Sequence, residues 1–225
     1  MYKLSKRGSL FRLAIAGALV AGLAVVSATP VGAATPVCPV YATDINTGKL
    51  SVIDAATNTV TTDVTIGLNP QRVAVSPSGM VYVTKNDTNL VDVVDGATNT
   101  VTTTIPMTDG PHAVAVAPSG DIYVPRLDGD SVAVIDPVTN TITTTITVGG
   151  APSDVAVSPT GTVYVTVFLG VVSVIDSATD TVTTTIPLVA PIGIAVSCIT
   201  PPEPPGPTPE PPGPNPEPTP PVFTG

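Results

Sequence analysis

The feature of this sequence that most constrains its fold is an internal repeat with a period of about 41 residues. Units of this length cannot bury their hydrophobic faces alone, so they stack against their neighbours and share a core. The repeat occupies almost all of the chain between residue 38 and residue 198. Its markers are Asp54, Asp95, Asp136 and Asp176, spaced by 41, 41 and 40 residues, and Tyr41, Tyr82, Tyr123 and Tyr164, each 41 residues apart.

Each repeat contains four short runs of β-forming residues, of the types VAVS, VYVT, VSVID and TVTTTI. The first three runs are almost entirely apolar, which indicates strands covered on both faces. The fourth alternates Val or Ile with Thr, which indicates an outer strand with one solvated face. Four-stranded units at a period near 40 residues are the blades of a β-propeller. We therefore predict an all-β fold, a four-bladed β-propeller of four antiparallel strands per blade.

The repeats resemble the YVTN-type β-propeller repeats of secreted and surface-layer proteins. The resemblance is carried by Pro-x-x-Val-Ala-Val-Ser-Pro-x-Gly-x-Val-Tyr-Val-Thr and by Val-Ile-Asp-x-x-Thr-Asn-Thr-Val. It implies a secreted or surface location. Members of the family usually have seven blades, so their ligand or enzyme sites cannot be transferred to four repeats. The asparagine that follows Tyr-Val-Thr in the family is replaced here by Asp44, Lys85, Arg126 and Val167.

The two ends of the repeat region are complementary. The chain enters at the second strand of a blade, residues 40–43, and leaves at a first strand, residues 193–196, so these strands are expected to complete one blade and close the ring. In the alignment of the repeats, Cys198 falls in the column of Pro77 and Cys38 in that of Gly79. We predict a Cys38–Cys198 disulfide in place of the missing hairpin. The alternatives are free or intermolecular thiols, and two copies forming an eight-bladed ring as a homodimer instead of a monomer.

The segments outside the repeats have different compositions. Residues 1–34 read as a secretory signal peptide, with a basic start, an uncharged run at 13–26 and small residues at 31–34. The alternative is a retained N-terminal anchor; no later segment is long enough to span a membrane. Residues 201–225 contain 13 prolines and predict a disordered, extended proline-rich tail. The propeller domain is placed at 35–200, and the mature protein is expected outside the cell or in its envelope.

Composition excludes some classes of function. The chain has 8 basic and 17 acidic residues, and four of the basic ones lie in the first dozen positions. Without the signal peptide, 4 basic residues face 17 acidic ones, a net charge of −13. Nucleic-acid binding needs a basic face, so it is not expected. One histidine and three glutamates provide little material for a metal centre or an acid–base enzyme, and no metal or cofactor is predicted.

One side of the predicted ring, the loop face, carries the connections between blades and the loops between second and third strands. Positions that differ between repeats on this face are where function would be encoded, because the fold does not require them. A polar mouth of this kind could hold a small anionic or sugar ligand; ordinary solvated loop residues are the alternative. The ligand-binding candidates are Arg72, His112, Asp154, Lys85, Arg126 and Gln71.

Three further features allow alternatives. His112 is a weak catalytic candidate as a general base, with Asp109 the nearest carboxylate in sequence. Phe168 and Leu169 interrupt a loop that is polar in the other repeats, and would either contact a partner or pack against the channel or a neighbouring loop. The Asp-x-x-Thr-Asn segments resemble calcium loops, but their chemistry is better explained by hairpin turns.

These observations favour a non-enzymatic binding or scaffold module that recognises a protein or polysaccharide of the cell envelope through its loop face. The alternatives are a hydrolase or lyase that uses His112, and a purely structural surface protein whose Thr-rich outer strands carry glycans or pair edge to edge.

Overall fold

The computed structural model describes residues 38–198, which form four antiparallel sheets in chain order. The predicted all-β architecture of four propeller blades is confirmed, and the one helical element within this range is a 3-10 turn at Asn86–Thr88. Blade 1 contains β1 (Pro39–Asp44), β2 (Lys49–Asp54) and β3 (Thr59–Thr65), and blade 2 contains β4 (Val73–Val75), β5 (Met80–Lys85), β6 (Leu90–Asp95) and β7 (Thr100–Pro106). Blade 3 contains β8 (Ala115–Val116), β9 (Ile122–Arg126), β10 (Ser131–Asp136) and β11 (Thr141–Thr147). Blade 4 contains β12 (Pro152–Val157), β13 (Thr162–Val167), β14 (Val171–Asp176) and β15 (Thr181–Pro187).

The core lies between the blades. One buried cluster joins blades 1 and 2 and includes Leu50 and Val83; a second joins blades 2 and 3 and includes Ile105 and Val124; a third joins blades 3 and 4 and includes Ile146. Strands β5, β6, β9 and β10 are buried on both faces, as their continuous apolar runs predict. Stability therefore depends on contacts between neighbouring repeats.

The outer strand pair of every blade carries a β-bulge at the same repeat position. The register shifts between Val52 and Ile53 in blade 1, and at the equivalent residues in the other three blades. The extra residue is a threonine, whose hydroxyl donates to a carbonyl oxygen of the neighbouring strand. These bonds run from Thr61 to Val52, Thr102 to Val93, Thr143 to Val134 and Thr183 to Val174, over 3.0–3.3 Å.

The Asp-x-x-Thr-Asn segments form the outer hairpin turns, which confirms the turn interpretation. The Asp54 carboxylate accepts the backbone N–H of Ala56 at 2.7 Å. Asn58 closes the same turn with a φ of 55°, a left-handed conformation that asparagine tolerates better than most residues. In blade 3, the backbone N–H groups of Thr139 and Val138 lower the pKa of the Asp136 carboxyl.

The predicted ring closure is not formed. Blade 1 has three strands, and residues 188–198 form no strand beside β1. The predicted Cys38–Cys198 disulfide is likewise absent, with both side chains exposed. The segment after β15 lies beside blade 4, where the carbonyl oxygen of Ile192 accepts the Thr166 hydroxyl at 3.2 Å and the N–H of Ile194 donates to Asp154 at 3.1 Å.

Blade 4 consequently has an open side. Ile186 and Leu188 are 44% and 49% exposed. The equivalent pair in blade 2, Ile105 and Met107, is 3% and 6% exposed because blade 3 covers it. The difference shows that the face of a blade which normally meets the next repeat is uncovered here.

Both predicted terminal segments, the signal peptide at 1–34 and the tail at 201–225, lie outside the described residues. Within residues 38–198, no helix has the length and apolar character needed to cross a membrane.

Candidate functional site

A recurring hydrogen bond connects the blades near the loop face. The last threonine of a second strand donates its hydroxyl to a carbonyl oxygen at the start of the next repeat. Thr43 donates to Gln71 at 3.0 Å, and Thr84 donates to His112 at 2.7 Å. The Thr166–Ile192 bond is the third case. This arrangement holds the backbone at the candidate positions in a fixed place.

His112 belongs to this arrangement. Blade 3 has Pro125 where the other blades have the threonine, so it offers no hydroxyl to the carbonyl oxygen of Ser153. The Nδ1 atom of His112 lies 2.6 Å from that oxygen and supplies the bond instead. Because a carbonyl oxygen only accepts, Nδ1 carries the proton, and Nε2 is the acceptor nitrogen of the neutral ring. His112 therefore connects blades 2–3 to blade 4.

Lys85 is buried and does not extend into the solvent at the mouth. Its Nζ lies 2.6 Å from the carboxylate of Asp92 and 3.0 Å from the carbonyl oxygen of Ile66 in blade 1. The two side chains are 9% and 4% exposed, and Asp92 also accepts the hydroxyl of Thr104. A ligand could reach this ammonium only by displacing those partners.

Arg126 is also fully engaged. Its Nε and Nη2 atoms donate to the hydroxyl oxygen of Ser131 at 3.0 and 2.6 Å. Its Nη1 donates to the hydroxyl of Thr108 and lies 3.4 Å from Asp109. Since Thr108 and Asp109 lie on the connection from blade 2, this arginine fastens that connection to blade 3.

The carboxylate of Asp154 accepts hydrogen bonds from two backbone N–H groups. One carboxylate oxygen accepts the backbone N–H of Val155, and the other accepts the backbone N–H of Ile194. Its own N–H donates to the hydroxyl oxygen of Thr166. The carboxylate thus anchors the last described segment to blade 4.

Arg72 differs from the other cations between residues 38 and 198. Lys49, Lys85 and Arg126 each pair with an aspartate, whereas the exposed guanidinium of Arg72 makes no ion pair in this range. It lines a cavity of about 430 Å³ at the junction of blades 1 and 2. The other lining residues are Thr43, Ile45, Pro70 and Gln71. Gln71 is half-buried, and its backbone is fixed by Thr43 and Thr84.

Phe168 and Leu169 are 50% and 77% exposed in the turn between β13 and β14. The N–H of Phe168 donates to the carbonyl oxygen of Ala151, so the turn is held against the preceding connection. A side chain on Gly150 would collide with Leu169, which shows that this leucine lies across the connection. Phe168 and Leu169 therefore form an exposed apolar turn on blade 4.

The six ligand-binding candidates therefore separate into two groups. Gln71 and Arg72 share a cavity, while Lys85, Arg126, His112 and Asp154 are committed to contacts within or between blades. The sequence analysis did not identify Asp92 as the partner of Lys85, or Ser131 as the partner of Arg126. A signal was present, because Asp92 is the one acidic residue in a column of Ser51, Ala133 and Ser173, in the same repeat that has Lys85. No three His, Cys, Asp or Glu side chains of residues 38–198 could hold a metal ion.

Comparison with solved structures supports the fold. The chain is similar to Kuenenia stuttgartiensis hydrazine synthase, with a TM-score of 0.64 and 24% identity over 67% of this chain and 46% of that one. It is also similar to a streptogramin B lyase, with a TM-score of 0.61 and 19% identity over 70% of this chain and 55% of that one. The chain thus spans about half the length of each. No protein-family model matches the sequence, and no curated protein matches it. At these identities the likeness establishes a propeller fold.

Proposed function

We propose that this protein is a secreted or cell-envelope propeller that binds a protein or polysaccharide through its loop face, at the cavity containing Arg72. The observation that carries the proposal is the contrast among the cations: Arg72 is the exposed one without an ion pair among the described residues. The basic start of the chain, the uncharged run at 13–26 that follows it and the YVTN-like repeats support export.

The chemistry of the cavity limits the ligand. An arginine donates up to five hydrogen bonds in a fixed plane, and the neighbouring Gln71 and Thr43 add an amide and a hydroxyl. This set suits the hydroxyls and isolated carboxylates of a sugar chain or peptide. The described residues carry 14 aspartates against four cations, so a densely charged polyanion would be repelled. A neutral or weakly acidic polymer is therefore the expected ligand.

The test is a binding screen with the secreted full-length protein. Galactose oligomers, galacturonate oligomers and a peptide library would be arrayed, and the best binder measured by calorimetry. We expect Arg72→Ala to weaken that binding by about tenfold or more, equivalent to ~1.4 kcal/mol.

Lys49→Ala is the matched control, because it removes one exposed cation that is already paired with Asp63. It should leave the affinity within about twofold. If Arg72→Ala binds as well as the unaltered protein, the loop-face cavity is not the binding site. If both variants lose affinity equally, the attraction is a general charge effect.

A second candidate function, a hydrolase or lyase, is favoured by the bond between His112 Nδ1 and the Ser153 carbonyl oxygen. This bond orients the ring and presents Nε2 as a possible general base. The test is a measured activity that His112→Ala removes while circular dichroism stays unchanged. Activity that survives the substitution would eliminate this candidate.

The purely structural alternative predicts glycans on the threonines of the outer strands. An intact mass equal to that of the bare sequence would contradict it.

A further inference from the structure

The pairing scheme of the three complete blades leaves two unmatched partners elsewhere in the chain. In blades 2, 3 and 4, the first strand pairs with the second through an alanine opposite a tyrosine: Ala74 with Tyr82, Ala115 with Tyr123, and Ala156 with Tyr164. Blade 1 has the tyrosine, Tyr41 on β1, but residues 38–198 provide no first strand for it. Residues 193–196 have the alanine, Ala195, but no strand beside them.

The segment 192–197 already occupies the position of a first strand relative to blade 4. Ile192 accepts the Thr166 hydroxyl in the same way that Gln71 and His112 accept those of Thr43 and Thr84. Its backbone continues past Tyr164, where the two form a cavity of about 270 Å³. The outer edge of segment 192–197 is therefore available to pair with a second strand.

Blade 1 offers the complementary groove. A cavity of about 460 Å³ lies between β1 and the inner end of blade 2. It is lined by Pro39 and Tyr41 on one side and by Val75, Ser76 and Pro77 on the other. In a complete blade this is where the first strand lies, beside the first strand of the next repeat. One wall is the edge of β1 that pairs with no strand of residues 38–198, and a sheet edge of this kind is a template for another strand.

Among residues 38–198 the groove and the segment are not paired, and Ile186 and Leu188 of blade 4 remain exposed where a following blade would cover them. The described blades also match about half of each of two larger propeller proteins, which is consistent with a ring that contains more than these four blades. We propose that two copies associate head to tail. In this dimer, residues 193–196 of each copy fill the groove of the other, and the two reciprocal contacts close an eight-bladed twofold ring.

The register of the complete blades fixes the contact. It places Ala195 opposite Tyr41 and Val196 opposite Val40 of the second copy. Continued two residues, the same register places Cys198 opposite Cys38. Directly opposed residues of an antiparallel pair have Cα atoms about 4.5–5.5 Å apart, which is within disulfide range. Association would also cover Ile186 and Leu188 with the first blade of the other copy. This contact would repeat the apolar packing that joins blades 1 and 2, 2 and 3, and 3 and 4.

The test uses the full secreted chain in unlabelled and nitrogen-15-labelled forms. The two are mixed, unfolded with reductant, refolded with oxidant and examined by native mass spectrometry and non-reducing peptide mapping. We expect a native mass of two chains and Cys38–Cys198 peptides that join one light and one heavy half. A monomer whose linked peptides are all light or all heavy would overturn the proposal in favour of closure within one chain. A dimer that lacks this link would overturn it in favour of another interface.

Ile194→Asp gives an independent measurement, because it places a charge in the proposed shared strand. We expect it to raise the dimer dissociation constant by about tenfold or more. Val138→Asp is the control, since Val138 is 87% exposed in an outer turn of blade 3, and it should leave the constant unchanged. Circular dichroism of both variants separates a lost contact from a lost fold. Equal dissociation constants for the two variants would contradict the proposed interface.

Discussion

The junction of blades 2 and 3 and the open side of blade 4 are built from nearly the same sequence but differ in what covers them. At the junction, Ile105 and Met107 are buried against the next blade; on the open side, Ile186 and Leu188 occupy the same columns and are about half exposed. The difference shows that each repeat encodes an apolar face on its blade, whether or not a neighbouring blade covers it. Position in the array, and not local sequence, decides which residues become core.

The largest expected effect concerns the junction of blades 1 and 2. Asp92→Ala leaves the ammonium of Lys85 buried without its carboxylate, and should lower the free energy of unfolding by about 3–5 kcal/mol. Asp63→Ala breaks the Lys49–Asp63 pair, whose side chains are 43% and 36% exposed, and should lower the free energy of unfolding far less, because solvent screens an exposed pair. Urea unfolding of both variants measures the difference. Similar losses would mean that the Lys85 site is hydrated and not part of the core.

The second prediction compares the two faces directly. Ile105→Ala should cost about 2–5 kcal/mol, because it removes buried methyl groups and leaves a cavity. Ile186→Ala should cost less than about 1 kcal/mol in reduced protein dilute enough to be monomeric. Thermal unfolding of each variant provides the measurement. An equally large loss at Ile186 in the monomer would show that some part of the same chain covers blade 4.

Blade order and strand order could be predicted from the sequence because both follow from the period of the apolar runs. The roles of Lys85 and Arg126 could not. Repeat alignment places a residue at the loop face but does not determine the direction of a long side chain, and both fold back to partners, Asp92 and Ser131. Ring closure also failed as a prediction. It depends on how each blade packs against the next, which the strand pattern alone does not determine.

The third prediction tests the His112 bond that replaces a threonine. His112→Ala leaves the Ser153 carbonyl oxygen without its donor, and should cost about 1–3 kcal/mol. Adding Pro125→Thr restores the hydroxyl that the other blades use, and should recover part of the loss. Urea unfolding of the single and double variants measures the recovery. If the double variant is no more stable than His112→Ala, the histidine contributes through packing and not through this bond.

The smallest expected effect is a loss of stability in alkali. Burial first, and then the hydrogen bond to Asp180, raise the pKa of Tyr123 in the folded protein. A phenol with a raised folded pKa stabilises the fold below its unfolded pKa of about 10, and this contribution is lost as the pH rises above that value. Tyr123→Phe should cost about 0.5–1.5 kcal/mol at pH 7 and flatten the decline above pH 10. Tyr164→Phe, on the open side, should leave the stability at pH 7 unchanged. A decline of the same steepness in Tyr123→Phe would assign the alkaline sensitivity to other groups.

The bulges in the outer strand pairs have a consequence for aggregation. A flat, exposed edge strand invites uncontrolled addition of further strands, which is the first step towards a fibre. All four blades carry a bulge in their outermost strand at the same place, and its threonine hydroxyl donates to a carbonyl oxygen of the neighbouring strand. The pairing of β1 with β2 runs without such an interruption. The bulges therefore disfavour strand addition at the periphery of the molecule, whereas the inner edge of β1 accepts one strand in the proposed dimer and is then covered.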